Sequence, residues 1–419
     1  MRRMAAIDAQ TWWLSAKVPN DQFLLYGFAG VPEDLGAALA EVQDRARRCP
    51  DLLLRAGDDC RLTYPAWEPR AVGEDQFVVH GDEFFWNECL DVVAGLADRQ
   101  LDATVAAWRV HVFPHVRALP GADTGAVAVL QISHALADGT RASALAAWLF
   151  GRPAPVAPVA QPRLLAARLP GRAVVAARTQ RELVGDTESG AVPPPAPSRP
   201  VLHSNAAPAG RRWVRTLVRH RSQIPGPTVT VGVLAAISSG LGEQLRESGE
   251  SGEDIRALGA EVPMAKMGIR LAHNHFGNVG IGLYPELGTA DRIARISADF
   301  ADRRRRAAHP AMAAADQAFA ATPAPLLRWG VAQFDPTVRA PMVTGNTVVS
   351  SVNRGDADLS FGGLPVVVTA GYPSLSLMMG LTHGVHGIGD TVAISVHAAQ
   401  SAVADIDSYL ARLDEALGD

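Results

Sequence analysis

The chain has 419 residues, of which 48% are hydrophobic and 20% charged, and its formal net charge at pH 7 is −4. This length exceeds what one hydrophobic core normally holds, so we expect two domains or two closely packed halves. The slightly acidic balance gives no basic surface for nucleic acid, and no apolar run approaches the roughly 20 residues of a membrane-spanning helix. The composition therefore favours a globular protein without a nucleic-acid partner.

The cysteines and the N-terminus indicate the compartment. Cys49, Cys60 and Cys89 have no metal-ligand spacing, and three cysteines cannot all pair, which is typical of a reducing environment. The N-terminal segment begins with basic residues, but Asp8 and Gln10 interrupt the apolar stretch that a signal peptide needs. We therefore expect a cytoplasmic protein, and peripheral contact with the inner membrane surface stays open.

The first half is predicted to contain a hairpin that leads into a short polar motif. A helix is indicated by "GAALAEVQDRARRC", and residues 108–116 alternate between apolar and polar side chains as a half-buried strand does. The turn "LPGADTG" separates them from a more buried strand at 126–132. This second strand ends directly at Ser133 and His134, and the helical sequence "TRASALAAWLF" follows.

A proline-rich segment at 151–205 separates the two halves. It brackets the helical piece "RLLAARLPGRAVVAARTQRELVG", and such segments are usually stiff connectors on the surface. We therefore assign residues 1–150 to an N-terminal lobe, 151–205 to a linker, and 206–419 to a C-terminal lobe.

The second half mixes helices and strands. A helix is predicted from about Val231, and others in "TADRIARISADFADRRRRAA" and "ADIDSYLARLDEAL". Strands are predicted in "FGNVGIGLYPEL", "TVVSSV", "LPVVVTAGY" and "DTVAISVHA". Because helices and strands do not alternate strictly, an α/β fold with mixed, mostly antiparallel sheets fits better than a doubly wound parallel sheet.

The motif "ISHALADG" is the leading candidate for chemistry. His134 stands at a strand end, and an imidazole titrates near neutral pH, as a general base must. Asp138 can brace the loop by pairing with an arginine, or it can orient the ring, and Gly139 permits a tight backbone path. The alternative is that a polar residue simply ends a strand, since so short a motif also arises by chance. The strand before it and the helix after it favour the catalytic interpretation.

Several blocks in the same order resemble those of one family. They are "MAAIDAQTWWL" with Asp8, "VVHG" around His80, "LDATVAAWRV", the motif around His134, "TVTVGVLAAISSGLGEQL", "VPMAKMGIRLAHNHFGNVGIGLYPEL" with Gly277 and Asn278, and "TVVSSVNRG" followed by "GGLPVVVTAGYP". Together they resemble the bacterial wax ester synthase/diacylglycerol acyltransferase family of the CoA-dependent acyltransferase superfamily.

The chain departs from this family at supporting positions. Ser133 stands where the family has the first of two histidines, Thr230 and Val231 stand where it has Asn-Asp, and Ser351 replaces the asparagine of Ser-Asn-Val. His134 and Asp138 are kept. We therefore expect a divergent member, whose substrate differs from that of the typical enzymes.

The resemblance implies a two-lobed chloramphenicol acetyltransferase-like fold with an active-site channel between the lobes. His134 would act as the general base with Asp138 as its structural brace, without an acyl-enzyme. Ser133, Gly139, Asn278 and Ser351 would contact substrate. The acyl group would pass from acyl-CoA or an acyl carrier protein to a hydroxyl acceptor of the long-chain alcohol or diacylglycerol type. Acyl-CoA is then a substrate, and no cofactor is implied.

Two alternatives stay open: a carrier-protein-dependent condensation or esterification enzyme of specialised metabolism, and a catalytically silent relative that binds lipid or CoA. No metal site is expected. The pairs His273/His275 and His383/His386 lack a third ligand at a recognisable spacing, and we expect these histidines to be solvent-exposed.

Overall fold

The computed structural model describes residues 2–160 and 166–418, so residues 161–165 of the predicted linker, including the start of its helical piece, lie outside the described residues. Within the described ranges, the helices are α1 Ala6–Ser15, α2 Leu35–Arg47, α3 Trp86–Leu96, α4 Gly139–Leu149, α5 Leu169–Glu188, α6 Val229–Glu247, α7 Gly252–Arg256, α8 Thr289–Ala307, α9 Pro310–Ala320, α10 Ala324–Gln333 and α11 Ile406–Gly418.

The strands occur in chain order as follows: β1 Arg2–Arg3, β2 Gln22–Ala29, β3 Leu54–Gly57, β4 Ala66–Pro69, β5 Phe77–Val79, β6 Phe84–Phe85, β7 Trp108–Arg117, β8 Thr124–Ile132, β9 Arg199–Pro200, β10 Arg212–His220, β11 Gly259–Ala265, β12 Phe276–Gly282, β13 Met342–Val343, β14 Thr347–Asn353, β15 Ser360–Phe361, β16 Leu364–Gly371, β17 Leu381–Ile388 and β18 Thr391–Ala399. Among the described residues, two large sheets contain most of them.

The first sheet has the order β15-β16-β2-β8-β7-β5, with β6 also paired to β7. The predicted hairpin is confirmed, because β7 and β8 pair antiparallel with Trp108 opposite Ile132. β8 is buried along almost its whole length. Its unbroken apolar run therefore reflects a central strand that is covered on both faces.

The second sheet has the order β10-β18-β17-β14-β11-β12. Most of its pairs are antiparallel, but β14 runs parallel to both β17 and β11. Helices α6, α8 and α11 cover this sheet through side chains such as Leu241, Ile296 and Leu413, which belong to one buried cluster with the strands. The prediction of mixed, mostly antiparallel sheets with flanking helices is confirmed.

Two strands of the second half of the chain, β15 and β16, belong to the first sheet. β16 pairs antiparallel with β2, with Thr369 opposite Tyr26. Apolar side chains of both sheets then share one buried cluster, in which Phe113 and Val368 lie with Ala393. The predicted lobe boundaries therefore follow the chain order, whereas the first sheet also contains β15 and β16 from the C-terminal lobe.

The proline-rich segment between the halves contains α5, which packs on helices of the second half. Arg306 donates to the Thr187 hydroxyl over 3.1 Å, and His309 contacts Asp186 over 3.2 Å. Most α5 side chains are exposed, with Leu183 its buried residue. In the described part of the chain, no helix combines the length and the apolar character needed to cross a membrane.

Candidate active site

A cavity of about 350 Å³ lies between the two sheets. The first sheet contributes residues 22–24 of β2 and Gly371 of β16, and the second contributes residues 348 and 350–352 of β14 and His386 of β17. The loop after β8 and the start of α4 complete the wall. Five of the six residues predicted from the sequence line this cavity, namely His134, Asp138, Gly139, Asn278 and Ser351.

His134 is held in one orientation by Asn274. The Nδ1 atom of His134 lies 2.8 Å from Oδ1 of Asn274. The amide nitrogen of Asn274 donates to the His134 backbone carbonyl over 2.8 Å and to the Asp8 carboxylate over 3.1 Å. Both of these partners are acceptors, so Oδ1 of Asn274 must accept from the Nδ1–H of His134. The neutral ring therefore has its lone pair on Nε2, which has no hydrogen-bond partner among the described residues.

The Asp8 carboxylate holds Asn274 in position by hydrogen bonds. Its carboxylate accepts from the backbone N–H groups of His273 and Asn274, each over 2.9 Å, in addition to the Asn274 amide. Asp8 is 1% exposed. Burial raises its pKa to about 7, although the three N–H donors oppose the rise. The segment 273–274 is thereby fastened to α1, and Asn274 in turn fastens His134.

Burial also lowers the pKa of His134 below the ordinary histidine value of 6.5, against the opposing effects of the Asn274 hydrogen bond and the Asp138 charge. Desolvation disfavours the charged imidazolium. The ring is therefore neutral at physiological pH and can accept a proton through Nε2.

Asp138 supports the loop and does not contact the His134 ring. Its side chain caps α4 by accepting from the Arg141 N–H over 2.9 Å. Its other oxygen pairs with Arg270 over 2.7 Å and accepts from the His275 N–H over 2.9 Å. One buried carboxylate thus ties the helix after the motif to the segment 270–275 from the second half, as a structural brace must.

Gly139 does not have the role inferred from its backbone freedom. It is the first residue of α4 and does not adopt the left-handed conformation. A Cβ at this position would point at Val352 and Gln22, at 3.4 and 3.8 Å. The backbone conformation therefore does not by itself require glycine here, and the missing side chain leaves room on the cavity wall.

Ser133, Asn278 and Ser351 lie in three different positions relative to the cavity. Ser133 is 3% exposed and is not among the cavity-lining residues, since its backbone pairs with Ala107 at the end of the hairpin. Asn278 is exposed at the rim and donates to Glu261. Ser351 lies on the wall, and its hydroxyl is 2.8 Å from the Thr230 hydroxyl in the first turn of α6.

The expectation that the pairs His273/His275 and His383/His386 are solvent-exposed is wrong for three of these four histidines. His273, His383 and His386 are 2%, 0% and 5% exposed, because the last two belong to β17 in the middle of the second sheet. His383 bonds to the Thr347 and Tyr409 hydroxyls. Within the described ranges, no three His, Cys, Asp or Glu side chains cluster as metal ligands would.

Sequence reasoning missed Asn274 and Arg270, which contact the motif directly. Both lie in "GIRLAHNHFGN", in which the His-x-His pattern is the more conspicuous feature. The carboxylate of Asp138 implied an arginine partner, but the choice among many arginines could not be made from spacing. Arg354 and His386 on the cavity wall were also missed.

Comparisons with known proteins agree with this architecture. The structure is similar to the wax ester synthase/diacylglycerol acyltransferase from Marinobacter aquaeolei VT8, with a TM-score of 0.61 and 19% identity, over 99% of this chain and 98% of that chain. It is also similar to the starter condensation domain of rhizomide synthetase in complex with C8-CoA and Leu-SNAC, with a TM-score of 0.53 and 14% identity, over 99% and 92% of the two chains. Sequence comparison with the curated proteins finds no match.

The fold and the cavity define a two-lobed α/β protein of the chloramphenicol acetyltransferase-like class. Within this class, residues 274–419 match the family model of the WS/DGAT C-terminal domain. The resemblance to the wax ester synthase/diacylglycerol acyltransferase family, predicted from the order of the sequence blocks, is confirmed.

Proposed function

We propose that the protein is an acyltransferase that moves an acyl group from an acyl-CoA thioester to a hydroxyl acceptor, with His134 as the general base. The observation that carries the proposal is the fixed orientation of His134. Its Nδ1 is bound to Asn274, and the ring lines the cavity between the sheets. The WS/DGAT C-terminal domain match supports the same reaction class.

The reaction requires one proton acceptor and no nucleophile from the protein. Nε2 of His134 takes the proton from the acceptor hydroxyl, whose oxygen attacks the thioester carbon. The tetrahedral intermediate then collapses, the C–S bond breaks, and the imidazolium returns the proton to the departing CoA sulfur. An ester and free CoA thiol result, and His134 is neutral again.

The oxyanion needs a hydrogen-bond donor. The hydroxyls of Ser351 and Thr230 lie 2.8 Å apart, so one donates to the other and a single O–H remains free. When Thr230 donates to Ser351, the free O–H belongs to Ser351, which lines the cavity. Thr230 also lies in the first turn of α6, where the helix dipole favours negative charge. We assign the oxyanion contact to Ser351 on this basis.

Free-thiol release tests the proposal directly. Wild-type protein is incubated with acyl-CoA of several chain lengths and a panel of long-chain alcohols and diacylglycerols. We expect thiol release that requires an acceptor, and we expect His134→Ala to lose at least about 100-fold in rate because general-base catalysis contributes that much. Circular dichroism and thermal unfolding check that the variant is folded. A folded His134→Ala protein with full activity would contradict the assignment.

A carrier-protein thioester is the second candidate donor. The similarity in fold to a starter condensation domain motivates testing this donor, although that domain is reported in complex with C8-CoA and Leu-SNAC. Turnover with matched acyl-CoA and acyl-carrier-protein donors separates the two. Acyl-CoA binding without thiol release from either donor would instead favour a catalytically silent relative.

A further inference from the structure

We propose that Arg354 binds a carboxylate at the far end of one substrate chain, so that the enzyme acts on a carboxylated acceptor or acyl group. This inference rests on the proposed acyltransferase function and names its substrate class. Arg354 directly follows β14 and lies on the cavity wall. It is the one lysine or arginine among the described residues that line the cavity.

Arg354 is a buried cation without a negative partner. It is 4% exposed and forms no ion pair with any carboxylate of the described residues. Its Nη1 donates to the Leu25 carbonyl over 3.3 Å and to the Thr369 hydroxyl, and its guanidinium lies over the Tyr26 ring, 4.9 Å from the centroid. A buried charge is costly unless it is paired. Neutral contacts orient this guanidinium and leave its charge uncompensated.

The free end of the guanidinium lies beside Gly371 and His386, and all three residues line the cavity. Nη2 of Arg354 makes no hydrogen bond to the described residues, and it lies 2.9 Å from where a Cβ on Gly371 would be. The His386 ring lies 2.7 Å from the same point, and its Nδ1 is buried without a hydrogen-bond partner. A side chain at position 371 would collide with both groups, so the glycine lets the cation and the ring lie side by side at the cavity wall.

The charge of the site indicates a monoanion. Asp138 is compensated by Arg270, and the Asp21 carboxyl, which also lines the cavity, already accepts from the Leu101 N–H and the Gln131 amide. Burial and the neighbouring Arg354 lower the pKa of His386 well below its ordinary value, so His386 adds no positive charge. The single positive charge of Arg354 matches the single negative charge of a carboxylate, whereas a phosphate dianion would require a second cation.

The position of Arg354 sets the length of the substrate. It contacts the carbonyl of Leu25, which is three residues along β2 from Gln22. Gln22 pairs with Ile132, two residues before His134. Nη2 lies beside Gly371, which pairs with Leu24 on β2. The carboxylate therefore lies two to three strand residues, about 7 to 10 Å, along the sheet from the end of β8. A medium-chain substrate with its carboxylate opposite the reacting end fits this distance.

Two pairs of substrates test the proposal and identify the source of the carboxylate. The first pair is ω-hydroxyoctanoate and 1-octanol, each with octanoyl-CoA. The second pair is ω-carboxyheptanoyl-CoA and octanoyl-CoA, each with 1-octanol. We expect wild-type protein to prefer the carboxylated member of one pair in kcat/KM, and Arg354→Met to lower that preference by about 10- to 100-fold. Arg354→Lys should keep part of it.

Arg178→Met is the control, because Arg178 lies on the exposed face of α5 and its loss removes the same charge outside the cavity. This variant should leave the ratio of kcat/KM between the carboxylated and the uncarboxylated substrate unchanged in both pairs. Folded Arg354→Met protein with unchanged ratios in both pairs would overturn the proposal.

Binding separates this inference from the proposed function. Calorimetry measures octanoate and suberate binding to wild-type protein and to the variants without any turnover. If no thiol is released but carboxylate binding depends on Arg354, the proposed function fails and the carboxylate site stands. If wild-type protein binds neither carboxylate, the site is excluded, even if Arg354→Met does not fold.

Discussion

His134 can act as a base only if its ring keeps the tautomer with a lone pair on Nε2. The acceptor that enforces this tautomer is Oδ1 of Asn274, whose amide is itself oriented by the His134 carbonyl and by Asp8. We therefore regard Asn274 as a positioning residue. It acts through His134, since its hydrogen bonds go to the protein and not to the cavity.

The pH dependence follows from the direction of the pKa shift. Activity is lost when His134 becomes protonated, and burial lowers the pKa of His134 from 6.5. We therefore expect kcat/KM to fall on acidification with a midpoint below pH 6.5. A midpoint near pH 7 would instead report the Asp8 carboxyl, whose pKa is raised to about 7, and would contradict the assignment. In Asn274→Asp the midpoint should move upward, because an added carboxylate at Nδ1 stabilises the imidazolium.

Asn278→Asp is the matched control for this shift. It adds the same charge at the exposed rim, where Asn278 contacts Glu261 and not His134. Its midpoint should move less than that of Asn274→Asp. Equal shifts in the two variants would mean that general charge, and not contact with Nδ1, sets the pKa.

At the scale of elements, Asp138 joins α4 to the segment 270–275. Asp138→Ala removes the helix cap and leaves Arg270 without its carboxylate partner. We expect a loss of about 3 kcal/mol in the free energy of unfolding, measured in urea, since removing one member of a buried pair strands the other charge. Asp44→Ala breaks the exposed pair with Arg47 and should cost less than about 1 kcal/mol. Similar losses in both variants would contradict the bracing role.

The sequence predicted elements well where the signal is local. The β7–β8 hairpin follows from alternation, a turn and a short connection, and all three are visible in the chain. By contrast, β2 was not predicted, because "QFLLYGFA" is a continuous apolar run without a clear period. Both faces of β2 are apolar because its alternate side chains enter two buried clusters, one with Leu24, Tyr26 and Phe28 and the other with Phe23 and Leu25.

For the molecule as a whole, the pairing of β16 with β2 couples the two halves. β16 covers the edge of β2, and its neighbour Tyr372 donates or accepts at the Thr216 hydroxyl on β10 of the second sheet. We expect a fragment of residues 1–205 to fail to fold by itself, because β2 would expose an unpaired apolar edge. Circular dichroism and urea unfolding check this. Adding back residues 206–419 should restore a single cooperative transition, and a stable 1–205 fragment would contradict the prediction.

The sequence by itself determined the fold class, the resemblance to an acyltransferase family, and His134 with Asp138 as the central motif. These depend on local periodicity and on blocks that are contiguous in the chain. Only the tertiary structure decided which distant groups serve that motif. Asp8 and Asn274, 266 residues apart, meet behind His134. Arg354 reaches the Leu25 carbonyl from 329 residues away. Chain order does not encode such contacts, because they arise where two sheets built from distant parts of the chain pack around one cavity.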